Sequence, residues 1–169
     1  MGYLMLVLSP TRSNPKSVDL AISLVQSTKR PLLAVFVVDT RVTDAISGRI
    51  VDVGFLGDKV SSQLQEAILK DYEERGRREL EEVKRRAQEL GIECELLIRK
   101  GDFVRQCLRI ATEKQVEDMI VSRAERSNLS RKLLGSAVNE LRERAPCPVM
   151  VVSDSSVENH QDSDVADAD

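Results

Sequence analysis

The sequence predicts a doubly wound parallel α/β domain, in which helices pack on both faces of one sheet. Two runs, Tyr3 to Leu8 and Leu32 to Val38, are almost entirely apolar, as is typical of strands buried on both faces of a parallel sheet. Each run is followed, directly or after a long connection, by apolar residues at helical spacing. The alternation continues as β-α-β-α-β-α-β-α-β, an order that folds through right-handed crossovers into a parallel sheet.

The first half of the chain supplies two strands and two helices. The turn Ser9 to Pro15, rich in capping residues and proline, leads into a helix with one apolar face. The long connection Asp39 to Asp58 is typical of a lid, a partner surface or a mobile segment. A charged helix is predicted from Lys59 to Leu90, with a bend expected at Gly76 and the helix end at Gly91.

The second half of the chain supplies the other strands and helices. Ile92 to Lys100 alternates apolar and charged residues, which predicts a half-exposed edge strand. Gly101-Asp102 begins the next helix, and Met119 to Ser122 forms a further strand. A polar loop then leads to a helix that begins near Gly135 and to the last strand, Val149 to Val152.

The chain divides into one domain, residues 1–152, and a tail, residues 153–169, which has too few apolar residues to pack and is expected to be disordered. The tail holds six acidic residues and neither Lys nor Arg. The domain keeps a surplus of about three positive charges, too weak to indicate nucleic-acid binding. Aromatic residues make up only 3% of the chain, and no apolar run is long enough to cross a membrane.

The domain offers few groups for catalysis. The single histidine, His160, lies in the tail, which excludes Ser-His-Asp, Cys-His and His-rich zinc sites from the domain. The widely spaced Cys94, Cys107 and Cys147 form no CxxC pair and are expected to be reduced, buried thiols of a cytoplasmic protein. Cys147 is interpreted as an inert packing residue rather than a redox thiol. We expect a protein that is not an enzyme and holds no metal.

Polar segments follow three of the predicted strands. In a sheet of this kind, ligands bind at the carboxyl ends of the strands where the winding direction reverses. The segments Ser9 to Ser13, Asp39-Thr40 and Ser122 to Ser127 occupy such ends. The last helix begins near Gly135-Ser136, and its free amide groups favour an anion. The loop before it lacks the glycines that would let backbone amides close around a phosphate.

The segment Arg126 to Ser136 (RSNLSRKLLGS), followed by a helix and by Ala145 to Val152 (APCPVMVV), resembles the universal stress protein family. The resemblance extends from Tyr3 to Val152. It implies a Rossmann-like five-stranded parallel sheet of order 3-2-1-4-5, ATP binding by some members, and homodimers that often pair their last strands. In this chain the last strand, expected at the sheet edge, consists of Val149, Met150, Val151 and Val152.

The nucleotide-binding branch of that family carries Gly-x-x-Gly, nine residues, then Gly with Ser or Thr. Gly135-Ser136 matches the end of this motif, but Ser122 and Glu125 stand where the earlier glycines belong. The loop is also one residue shorter than is usual in the family. The acidic residue typical after the first strand is missing from the turn Ser9 to Arg12. Side chains would crowd an approaching phosphate, and Glu125 would repel it.

If a nucleotide or another anion binds, the candidate contacts are Pro10, Thr11, Arg12, Asp39, Ser122, Arg123, Arg126, Gly135 and Ser136. Arg12 and the loop arginines could replace the glycines, because guanidinium groups bind phosphate through paired donors. The favoured interpretation is a solvated basic loop whose arginines pair with nearby acids. Asp39 either contacts a ribose hydroxyl or starts a turn, and Ser136 is expected to cap the helix.

The residues and the resemblance together predict a universal stress-type regulatory module. It is expected to form a homodimer through the last strand and to need no cofactor, without tight ATP binding. Two alternatives stay open. One is a sensor that binds ATP through Gly135-Ser136 and the loop arginines, and the other is a scaffold that recruits a regulatory protein partner.

Overall fold

The computed structural model describes residues 2–41, 58–123, 137–153 and 157–158. The described strands are β1 (Tyr3–Leu8), β2 (Leu32–Asp39), β3 (Cys94–Gly101), β4 (Val116–Ser122), β5 (Val149–Val152) and β6 (Val157–Glu158). The described helices are α1 (Pro15–Thr28), α2 (Asp58–Glu89), α3 (Phe103–Glu113) and α4 (Ala137–Arg144). Strands and helices alternate from β1 to β5, as the apolar pattern predicts.

Strands β1 to β5 form one parallel sheet in the order β3-β2-β1-β4-β5, which confirms the predicted fold class. β1 lies at the centre, where Leu4 is opposite Leu32 of β2 on one side and Asp118 of β4 on the other. The winding direction reverses between β1 and β4. The carboxyl ends of these two strands therefore frame the crevice in which sheets of this kind bind ligands.

Helices cover both faces of the sheet. Alternate residues of β1 belong to two separate cores, because successive side chains of a strand point to opposite faces. Leu4, Leu6 and Leu8 pack with α1 and α2, while Met5 and Val7 pack with α3 and α4. β1 and β2 are buried along almost their whole length, which confirms that their continuous apolar runs belong to central strands.

The helix ends follow the predicted capping chemistry. The side chain of Asn14 accepts a hydrogen bond from the N–H of Lys16 at 2.9 Å and caps α1. Asp102 caps α3 in the same way, accepting from the N–H of Arg105 at 2.9 Å. After α2, Gly91 adopts a φ of 68°, the left-handed conformation that ends many helices. Local sequence therefore determines where these helices begin and end.

Gly76 has a packing role in α2. The helix continues through this residue, from Asp58 to Glu89, and the predicted bend stays a prediction. A Cβ atom on Gly76 would lie 2.4 Å from the ring of Phe36 in β2. Glycine is needed here because it lets the helix backbone approach the sheet closely.

β3 is an edge strand, as its alternating pattern predicted. It pairs only with β2 among the described strands, and its residues are half-buried rather than buried. Cys94, Leu96 and Ile98 pack against the core that α1 and α2 cover. The strand begins at Cys94, two residues later than the alternation suggested.

β6 corrects two expectations about the end of the chain. Val157 and Glu158 pair antiparallel with β5, Val157 opposite Val152 and Glu158 opposite Val151. The prediction that all of residues 153–169 lies outside the fold is therefore wrong at these two residues, and most of the remaining tail lies outside the described residues. β5 is also not the outermost strand. The physical reason is that an unpaired sheet edge accepts any nearby strand.

The Gly76→Ala substitution distinguishes the effect of close packing on stability from the effect of helix propensity. Propensity alone predicts that Ala stabilises α2 by about 1 kcal/mol. We expect the opposite, a free energy of unfolding lowered by about 2 kcal/mol, because the new methyl group overlaps the Phe36 ring. Urea denaturation measures the change. In a Phe36→Leu background the same substitution should cost less, whereas a stabilised Gly76→Ala protein would show that the helix can move away from β2 without loss.

Candidate functional site

The candidate site begins with the turn after β1. Ser9 and Arg12 exchange two backbone hydrogen bonds, with N–O distances of 3.1 and 3.3 Å, and Pro10 and Thr11 form the corner between them. Proline suits this corner because its ring presets the φ angle of the turn. The turn holds the backbone of Arg12 next to the end of β1.

Arg12 spans the crevice between β1 and β4. Its side chain is among the largest that are fully buried, with 1% of the residue exposed. Its Nη1 donates a hydrogen bond to the carbonyl oxygen of Ser122, the last residue of β4, at 3.0 Å. Its guanidinium carbon lies 4.9 Å from the centre of the Phe103 ring, at the start of α3. The expectation that Arg12 belongs to a solvated basic group is therefore wrong.

The guanidinium of Arg12 is a buried cation. Its pKa is lowered to about 10, chiefly by burial; the charges of Arg123 and Arg41 also lower this pKa, while Asp39 raises it. The group therefore stays protonated near neutral pH. A hydrogen bond from a charged donor contributes about 1.5–3 kcal/mol, and a desolvated cation–π contact contributes about 2 kcal/mol. The contacts with the end of β4 and the start of α3 therefore offset part of the cost of burial.

A second group of charges lies at the end of β2. Asp39 is 4% exposed, and its Oδ1 accepts a hydrogen bond from the N–H of Arg41 at 3.0 Å. The Nε of Arg41 lies 3.5 Å from this oxygen and 3.0 Å from Oδ2 of Asp102, the cap of α3. Arg41 thus joins the carboxyl end of β2 to the start of α3. Of the two roles predicted for Asp39, the bond to the N–H of Arg41 is of the kind that starts a turn or a helix, and contact with a ribose hydroxyl stays a prediction.

Two buried oxygens of the site have no hydrogen-bond partner within the part of the chain that the structure describes. They are Oδ2 of Asp39 and Oγ of Ser122. Buried polar atoms are almost always paired with protein or water. Both oxygens lie at the carboxyl ends of strands, and their contact with a bound molecule stays a prediction.

The structure brings several predicted contacts to the carboxyl edge of the sheet: Pro10, Thr11, Arg12, Asp39 and Ser122. Arg123 comes next in the chain, and its N–H donates to the carbonyl oxygen of Val152 at 2.9 Å, while the residue is exposed. Arg126, Gly135 and Ser136 lie outside the described residues. Ligand contact by any of these residues stays a prediction.

Sequence reasoning missed Phe103, Arg41 and Asp102 as parts of this site. Phe103 precedes Cys107 by one helical turn, so the inward face already assigned to α3 could have included it. Asp102 was recognised only as a helix start, and no motif indicated that Arg41 would bridge it to Asp39. Phe103 contacts Arg12, and Arg41 pairs with Asp102, through the fold rather than through proximity in sequence.

The cysteines are free thiols, of which only Cys107 is fully buried, whereas Cys94 and Cys147 are half-buried. Burial raises the pKa of Cys94 and of Cys147 to about 11. Burial also raises the pKa of Cys107, which lies against the site. A raised pKa keeps the thiol protonated and unreactive, which supports the interpretation of Cys147 as a packing residue.

The described residues lack two features that would point to other functions. None of the helices among them is both long enough and apolar enough to cross a membrane. The same part of the chain contains no group of three or more His, Cys, Asp or Glu side chains that could hold a metal ion.

Comparison with known proteins identifies the fold's family. The model of the universal stress protein family matches residues 4–153. The chain belongs to the universal stress protein family. Universal stress protein YxiE of Bacillus subtilis (strain 168) is 29% identical over 85 residues, which cover 50% of this chain and 57% of YxiE. The chain therefore spans little more than half the length of this curated relative.

Solved structures show the same fold. Hypothetical protein MJ0577, whose structure served to assign its biochemical function, has a TM-score of 0.63 at 17% identity, covering 90% of this chain and 97% of MJ0577. A universal stress protein in complex with cAMP has a TM-score of 0.53 at 18% identity, covering 90% of this chain and 98% of that protein. At 17% and 18% identity, the similarity establishes a shared fold and nothing further.

In this universal stress protein, side chains rather than glycines lie at the described part of the crevice between β1 and β4. The crevice between β1 and β4 contains the guanidinium of Arg12, which takes the carbonyl oxygen of Ser122 as its acceptor. Ser122 also places a Cβ and a hydroxyl group where the nucleotide-binding branch has glycine.

Alkylation at increasing pH tests the environment of the thiols. We expect Cys94 and Cys147 to react slowly with iodoacetamide at pH 8 and faster as the pH approaches 11, because only the thiolate reacts and burial raises both pKa values. An unstructured cysteine peptide, with a pKa of about 8.5, is the reference. Mass spectrometry assigns each site. Labelling of Cys147 at the rate of the peptide would contradict the raised pKa, and faster labelling would indicate an activated thiol.

Proposed function

We propose that this protein is a non-enzymatic, regulatory universal stress protein whose nucleotide crevice is closed by its own Arg12. The observation that supports this proposal is the buried guanidinium at the point where the winding of the sheet reverses, between β1 and β4. Nucleotide-binding proteins of this architecture use that crevice for the ligand. The free cysteines favour a cytoplasmic location.

Opening the crevice would cost several interactions at once. Arg12 would lose its hydrogen bond to Ser122 and its contact with Phe103, and the carbonyl oxygen of Ser122 would be left without its donor. Each buried polar group without a partner costs about 1–3 kcal/mol. The incoming phosphates would gain no glycine-rich backbone in return. We therefore expect no tight ATP binding.

An adenine-nucleotide sensor is the second candidate. It is supported by the unpaired buried oxygens of Asp39 and Ser122, which a nucleotide could use, and by the related protein solved with cAMP. In this case Arg12 would have to move and serve as a phosphate ligand, since a guanidinium offers paired donors to an anion. This candidate requires Arg12 to bind the ligand, whereas the first requires Arg12 to exclude it.

We further propose that the protein acts as a homodimer joined through β5. The outer edge of β5 is paired only at Val151 and Val152 within the described residues, so the backbone groups of Val149 and Met150 remain open on that side. An open edge of apolar residues pairs readily with a second copy across a two-fold axis. A scaffold that presents this dimer to a regulatory protein is compatible with the same assembly.

Isothermal titration with ATP, AMP and cAMP distinguishes the two candidates. We expect no binding of any of the three at low micromolar concentration to the unmodified protein. Replacing the exposed Arg105 with Ala, as the matched control, should leave this result unchanged. Arg12→Ala should bind more nucleotide than the unmodified protein, if only weakly, because it opens the crevice. Its thermal midpoint must show that it is folded.

Tight one-to-one binding of ATP, AMP or cAMP by the unmodified protein, persisting at moderate salt and lost in Arg12→Ala, would contradict the closed crevice. It would show that Arg12 is a ligand-binding residue, and the sensor would become the better account.

A further inference from the structure

We propose that β6 is a displaceable cover of the dimerisation edge, so that the segment after Val152 weakens the assembly of this chain with itself. The proposal rests on the homodimer proposed above. It assigns a role to Val157 and Glu158, which the sequence had placed in a segment without structure. The role is competition, because β6 pairs with the same edge of β5 that a second copy would use.

β5 has only one edge available for a further strand. Its other edge pairs with β4 along its whole length, from Met119 opposite Val149 to Ser122 opposite Val152. The N–H of Arg123 extends this pairing by donating to Val152 at 2.9 Å. Any additional strand must therefore use the outer edge, where β6 lies. The backbone groups that pair with β6 cannot pair with a second copy at the same time.

β6 binds that edge through few backbone contacts. It consists of two residues, and it pairs with Val151 and Val152 while leaving Val149 and Met150 open among the described strands. A second β5, antiparallel across a two-fold axis, could pair with all four residues. The dimer therefore offers more backbone hydrogen bonds for each edge, but both protomers must first release β6.

Displacement of β6 leaves the domain intact. Val149, Val151 and Val152 are buried in the two cores of the sheet, where they pack against β1 to β4 and the helices. The exchange of β6 for a second copy concerns only the backbone groups of the outer edge. Local opening of a short terminal strand is a low-cost event, because few buried contacts are lost.

The acidic residues of the tail also weaken dimerisation. Residues 153–169 contain six acidic residues and neither Lys nor Arg, and dimerisation through β5 would bring two such segments toward one interface. Like charges at an interface oppose association, and charged residues near a sheet edge are a common protection against further pairing. The same segment thus supplies β6 and, with Glu158, an acidic residue that pairs at the edge.

Sedimentation equilibrium of three proteins tests the cover: the unmodified chain, Val157→Pro and Val165→Pro. Proline lacks the N–H group of a strand ladder and is excluded from strand interiors, so Val157→Pro should detach β6. Val165→Pro places the same substitution in the same tail, outside β6, and is the matched control. We expect Val157→Pro to dimerise roughly tenfold more tightly than both other proteins, because it no longer has to release β6.

A chain that ends at Ser153 lacks β6 and should also dimerise more tightly than the unmodified chain. This second variant shows that the effect is not particular to proline. Equal or weaker dimerisation of Val157→Pro would overturn the cover while leaving the homodimer in place. Monomers throughout the series, at concentrations up to the millimolar range, would overturn the homodimer itself and the cover with it.

Discussion

A buried arginine at the centre of the sheet's carboxyl edge determines what the rest of the site can do. Arg12 lies between β1 and β4 and contacts Ser122 and Phe103. A cation this deep must be held by several partners, since its desolvation is costly. The turn at Pro10, the end of β4 and the start of α3 are therefore coupled through one side chain. The side chain of Arg12 lies where the winding direction of the sheet reverses, between β1 and β4.

Most of the fold could be predicted from residue patterns. The continuous apolar runs of β1 and β2 and the alternation of β3 reflect burial on two faces or on one, so sequence alone placed these strands at the centre and at the edge. Helix ends at Asn14 and Asp102 depend on local capping, which a few residues determine. The strand order β3-β2-β1-β4-β5 was predicted from the family resemblance, not from the patterns.

The remaining features depend on contacts between distant residues. Arg12 meets Ser122 across 110 positions of the chain, and a charged residue in a turn gives no local sign that it will be buried. The packing role of Gly76 depends on the ring of Phe36, which is distant in sequence. β6 has too little apolar content to be recognised as a strand and pairs because β5 leaves an edge open. In each case the partner, rather than the residue itself, determines the role.

The central claim is that Arg12 occupies the crevice in the presence of nucleotide as well as in its absence. A crystal structure of the protein grown with excess AMP tests this claim most directly. The account predicts clear density for the Arg12 guanidinium against the carbonyl oxygen of Ser122 and over the Phe103 ring, with no nucleotide between β1 and β4. An AMP molecule in that crevice, with Arg12 displaced or bound to its phosphate, would contradict the account.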